Sequence, residues 1–187
     1  MMLMNDGKLT ESADGIEIMA AEKTDFFVDT MNGVKKSDAP FVFEEMKGDF
    51  VINACVEPSF TDNYDAGGLF ILEHDTRWIK LEFEKTDLGY PSVVSVITDG
   101  ASDDANGEKM EGIEKVFLQV VRRSDYWALH YSLDGKAWKM VRYFRLKMSE
   151  TLRIGFVAQS PLGKGTKARF THIYIGRKQI ENLRKGS

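Results

Sequence analysis

The sequence predicts an all-β protein, a two-sheet antiparallel β-sandwich with little helix. Three observations carry this. Short runs rich in Val, Ile, Phe, Tyr and Trp recur along the chain, as strands prefer. Turn strings built on Gly, Asp, Asn and Pro separate them. Apolar residues almost nowhere recur at helical spacing. A chain of 187 residues fits one domain of this class, and no Gly/Ser/Pro linker divides it in two.

In chain order the predicted strands are 15–20, 41–45, 50–57, 68–73, 78–84, 92–98, 116–122, 126–132, 138–144, 152–159 and 168–175. The intervening strings include Asp-Asn-Tyr-Asp-Ala-Gly-Gly (62–68), Asp-Leu-Gly-Tyr-Pro (87–91), Leu-Asp-Gly-Lys (133–136) and Ser-Pro-Leu-Gly-Lys-Gly (160–165). Residues 24–32 are expected as a short helix or a loop, and 178–185 as a last helical turn or two. Side chains alternate faces along a strand. In 78–84 this sends Ile79, Leu81 and Phe83 to the core, and Trp78, Lys80, Glu82 and Glu84 outward. The same rule groups Leu118 with Val120, Ile154 with Phe156 and Ala158, and Trp127 with Leu129 and Tyr131.

Composition narrows the class. Lys plus Arg number 25 against 29 Asp plus Glu, a net charge of −4, and 43% of residues are apolar. These values exclude disorder and a disulfide scaffold, and they argue against a nucleic-acid partner held by phosphate contacts. No apolar run reaches the roughly 18 residues needed to span a membrane. The first residues lack the basic and apolar regions of a secretory signal. Cys55 is the single cysteine. Together these point to a reducing, cytoplasmic setting, with Cys55 read as a small strand residue.

A set of strings, taken in order, resembles a known family. They are Thr24-Asp25-Phe26-Phe27, Asp38-Ala39-Pro40, Gly48-Asp49-Phe50, Tyr64-Asp65-Ala66-Gly67-Gly68-Leu69 and Arg77-Trp78-Ile79-Lys80-Leu81-Glu82. Next come Ser95-Val96-Ile97-Thr98-Asp99-Gly100, Tyr131-Ser132-Leu133-Asp134-Gly135 before Trp138, and Gly155-Phe156-Val157-Ala158-Gln159-Ser160-Pro161. The family is domain of unknown function family 1349, of the concanavalin A-like lectin/glucanase superfamily, and the resemblance covers residues 10–177. It implies one jelly-roll domain over 1–187 with a short C-terminal tail, and two stacked sheets of which one is concave. It implies no established reaction.

The outward face of 78–84 is the strongest candidate for chemistry. Side chains two apart on a strand stand about 7 Å apart, so Glu82 and Glu84 loosely meet the need of glycoside hydrolysis for two carboxylates. Superfamily glucanases resemble this in a Glu-x-Asp-x-Glu strand. Here the string is Lys80-Leu81-Glu82-Phe83-Glu84, with an amine replacing the first acid. A solvated ion-pair face is the competing expectation. Trp78, Trp127 and Tyr64 could supply aromatic platforms for a sugar; Gln119, His130 and Gln159 could add polar contacts if their strands line the concave sheet.

The three histidines, His74, His130 and His172, lack metal-ligand spacing, so no metal is expected. The oxygen-rich stretches 99–106 and 62–65 are expected as structured loops rather than calcium sites. No cofactor motif is present: Gly163-Lys164-Gly165-Thr166 lacks the surroundings of a phosphate loop. The favoured function is binding of a carbohydrate or polyol on the concave sheet without catalysis. The alternatives are an intracellular protein-interaction or regulatory domain, and a glycoside hydrolase using Glu82 and Glu84.

Overall fold

A computed structural model describes residues 1–187. Sixteen strands build it: β1 (Met2–Met4), β2 (Gly7–Ser12), β3 (Gly15–Ala21), β4 (Phe26–Val28), β5 (Lys35–Ser37), β6 (Phe41–Lys47), β7 (Phe50–Pro58), β8 (Ala66–His74), β9 (Arg77–Lys85), β10 (Pro91–Asp99), β11 (Ala101–Asn106), β12 (Val116–Arg123), β13 (Tyr126–Ser132), β14 (Lys139–Arg145), β15 (Thr151–Gln159) and β16 (Gly165–Gly176). Two seven-stranded antiparallel sheets result. The first runs β1-β6-β15-β8-β9-β10-β11 and the second β14-β13-β12-β7-β16-β3-β2; β4 and β5 pair as a separate hairpin. This is the expected jelly-roll sandwich. No helix is long and apolar enough to cross a membrane.

The eleven predicted strands all form, one or two residues longer in most cases. Their alternation places the core as expected. Ile79, Leu81 and Phe83 join Leu118, Val120, Trp127, Leu129, Ile154, Phe156 and Ala158 in a buried cluster of 28 residues between the sheets. Phe156 of the first sheet meets Phe170 of the second at 5.0 Å.

Three expectations need correction. Residues 99–106 are not a self-capped loop: Gly100, at φ +82°, turns the chain between β10 and β11, and Val94 to Asp99 pair with 101–106. Polar Asp and Asn tolerate a strand here because β11 is an edge strand open to solvent. Of the helix or loop expected over 24–32, no helix forms; the segment is loop and turn around the short β4, because Phe26 and Val28 are drawn into a second apolar cluster. Residues 178–185 form no helix either; they run as an irregular strap. Its Ile180 fills a small cluster with Val51, Val121 and Ala128, on the outer face of the second sheet, and Leu183 packs against them. Each sheet therefore has a strap over its outer face, residues 22–40 on the first and the C-terminal tail on the second.

Candidate functional site

Strand β9 lies near the middle of the first sheet and presents Trp78, Lys80, Glu82 and Glu84 on its outer face. The register sets Phe70, Gly68 and Ala66 of β8 beside Lys80, Glu82 and Glu84, with Val96, Val94 and Ser92 of β10 on the other flank. The face divides in two. Towards Trp78 it is aromatic: Phe26 meets Trp78 at 5.7 Å and Phe70 at 4.5 Å. Towards Glu84 it is polar.

The expected solvated ion-pair face is not observed. Lys80 is 1%, Glu82 0% and Glu84 7% exposed. The strap over 22–40 folds across the strand and contributes Asp25, which nothing in the local sequence marks as a partner of β9. Backbone pairing of Thr24 with Ser160 and the Asp25 N–H donating to Asp38 at 2.9 Å hold it there.

Lys80 Nζ donates to Gln159 Oε1 at 2.7 Å and to Asp25 Oδ1 at 3.3 Å, and lies 3.1 Å from Glu82 Oε2. Beyond this ion pair, neither oxygen of Glu82 has a hydrogen-bond partner. Gly68 lets β8 lie close to β9 here, since a Cβ there would meet the Leu81 carbonyl oxygen first and stand 2.7 Å from Glu82 Cγ. One ammonium thus faces the carboxylates of Asp25, Glu82 and Glu84, and it cannot neutralise all three. Burial pushes Glu82 and Glu84 above the usual carboxylate range, and Glu82 adds to the push on Glu84, which moves furthest. Burial opposes the charge on Lys80, but Glu82, Asp25 and Glu84 outweigh it and raise the amine. Of the two glutamates Glu84 therefore holds a proton the more readily, with Lys80 lying between Glu82 and Asp25.

Tyr64 stands at the rim in a left-handed backbone conformation, φ +67°. Burial, then the charges of Asp87, Glu84 and Asp104, raise its phenol. Asp65 beside it is committed to structure: Oδ1 accepts from Ser160 Oγ at 2.7 Å, and Oδ2 from the Thr61 and Asp62 N–H groups. The stretch 62–65 thus caps its own loop. Together the groups offer one ammonium, three carboxyl groups, an amide and a phenol, the inventory that recognises neighbouring hydroxyls.

Of the sequence candidates, Lys80, Glu82, Glu84, Gln159 and Tyr64 come together here. Trp78 shares the strand face but is sealed beneath Phe26, fully buried. Trp127 points into the core and donates to Leu146 O at 2.9 Å. Gln119 and His130 sit on the far side of the second sheet under the C-terminal strap, bonded to Gly186 O at 3.1 Å and Leu183 O at 2.8 Å. The alternation of β12 and β13 placed them outward, but onto the other sheet. No cluster of His, Cys, Asp and Glu has the form of a metal site.

A family model described as "Protein of unknown function (DUF1349)" matches residues 3–178. Regulation of enolase protein 1 of Saccharomyces cerevisiae is 27% identical over 161 residues, 86% of this chain and 81% of that protein. A solved structure of a functionally unknown protein from Saccharomyces cerevisiae superposes with a TM-score of 0.89 at 24% identity, covering 96% of this chain and 97% of that one. The carbohydrate binding module CBM66 from Bacillus subtilis gives a TM-score of 0.60 at 12% identity, covering 93% and 94%. The structural likenesses establish a shared two-sheet β-sandwich fold.

Proposed function

The chain belongs to the DUF1349 family, and we propose that this member binds a carbohydrate or polyol on the polar half of the first sheet's outer face, without turning it over. The carrying observation is Glu82, a fully buried carboxylate with no hydrogen-bond partner beyond the charged Lys80, which lies 3.1 Å from its Oε2. A carboxylate and an ammonium side by side accept from and donate to vicinal hydroxyls. Asp25 and Tyr64, both half-buried, form the edge that a ligand meets first, with Lys80, Glu82, Glu84 and Gln159 buried behind them. The whole-length fold likeness to a carbohydrate binding module supports this reading. Titration with a panel of glycans and polyols tests it. At least one member is expected to bind and to lose affinity at least tenfold in Glu82→Gln. Absence of binding across the panel overturns the proposal.

A second reading, an intracellular protein-interaction or regulatory domain, is favoured by one observation: the name of the yeast relative, which matches most of the chain. If that role operates by direct contact, purified enolase should bind this chain in sedimentation; two independent species would count against it.

A further inference from the structure

At the end of the sandwich distant from Tyr64, the turn between β6 and β7, the end of β12, Glu150 and the start of the C-terminal strap enclose a second cleft of about 830 Å³. This is within the size range of small-ligand sites. Five cations line it, Lys47, Arg122, Arg123, Arg177 and Lys178, against three acids. This concentration is unusual in a chain whose net charge is −4.

The way these cations are held is more informative than their number. Within the cleft only Lys47 meets a carboxylate, Glu150 at 3.6 Å. Arg122, Arg123, Arg177 and Lys178 make no ion pair. The three guanidiniums are instead fixed by backbone carbonyls. Arg122 donates to Ser124, Glu150 and Met148 O at 3.1–3.3 Å, Arg123 to Ile180 O and Arg177 to Lys47 O at 3.1 Å. Carbonyls orient a guanidinium without cancelling its charge. Each retains free N–H donors, and the rigid fork suits a tetrahedral oxyanion.

We propose that this cleft binds a phosphate-bearing small molecule. Five cations against three acids leave a surplus of two, matching a phosphate monoester that carries about −1.5 to −2 at neutral pH. Arg122 anchors the cleft from below, and Arg177 and Lys178 close on the ligand from the solvent side. The site is independent of the proposed polyol site, so either can fail alone.

Calorimetric titration of the full chain with inorganic phosphate and with ethyl phosphate is the test. Ethanol is the uncharged control, and malonate the dicarboxylate of equal charge. Saturable binding of both phosphates is expected, weakening as salt rises, with ethanol silent and malonate at least tenfold weaker. Arg177→Gln/Lys178→Gln, two exposed positions, should weaken phosphate binding at least tenfold while leaving the thermal midpoint close to the parent's. Lys167→Gln/Arg169→Gln, which changes net charge equally at another site, should leave it intact. No saturable binding, equal loss in both double variants, or malonate binding as tightly as phosphate would overturn the assignment.

Discussion

Lys80 is the residue on which the first site depends. It is the one cation among three carboxylates and is almost wholly buried. Lys80→Met leaves Glu82 as an uncompensated buried acid, and breaking such a pair costs about 3–5 kcal/mol. Lys80→Met/Glu82→Leu removes both charges and should recover most of that loss, read by denaturant unfolding; a double variant no more stable than the single would refute the pairing. Glu84 has a different signature. Its folded-state affinity for the proton exceeds that of the unfolded chain, whose ordinary value is 4.5. Its stabilising contribution is therefore complete below about that pH, and is lost as pH rises through the elevated folded value. Glu84→Gln cannot lose a proton. Its thermal midpoint should gain on the parent's as pH rises from 4.5 towards 9, and parallel profiles would show that Glu84 holds no extra proton. The sequence made both glutamates visible through alternation along one strand. Their burial was not legible, because Asp25 is 55 positions from Lys80.

At the scale of elements, strand identity followed from local composition and turn chemistry, whereas the straps did not. The β4–β5 hairpin has only three residues a side and could not stand alone. It exists because Phe26 and Val28 close the apolar cluster over Phe70 and Trp78. Phe26→Ala should cost about 3–5 kcal/mol if the hairpin stays docked, or less if it detaches. In either case amide exchange across 22–40 should accelerate while β12 remains protected. Uniform acceleration throughout the chain would mean the strap is not a separate unit. Gly68 is the complementary case. A methyl group there meets the Leu81 carbonyl and then Glu82 Cγ, so Gly68→Ala should lower stability and disturb the Lys80 pairing together; a neutral variant would show that β8 and β9 can shift apart.

For the whole molecule, the second strap couples pH to order. Burial holds His130 below its ordinary 6.5, opposed in part by its bond to Leu183 O, and Nδ1 has no partner. The unfolded or detached state takes the proton more readily. The strap's stability is thus present above about pH 6.5 and lost as pH falls through the depressed value. Amide exchange at 180–186 should rise on acidification before the core strands respond, and His130→Gln should flatten that profile. A strap equally protected at every pH would rule the coupling out. The two straps bound the two proposed sites, a buried acid-rich cluster under the first and a basic cleft beside the second, so a net charge of −4 conceals an uneven distribution of charge.

The sequence by itself determined the architecture. Eleven strands, their core faces and the outward set on β9 follow from period-two alternation, which is local and survives without knowledge of neighbours. The tertiary structure decided which sheet each outward face belongs to, and what lies over it. Gln119 and Gln159 read alike along their own strands, yet one lies under the C-terminal strap and the other on Lys80, because sheet order is set by pairing between strands far apart in the chain. Burial turned a face expected to be wet into a closed ion cluster for the same reason: the segments that cover it pack by apolar side chains whose partners lie on strands distant in sequence.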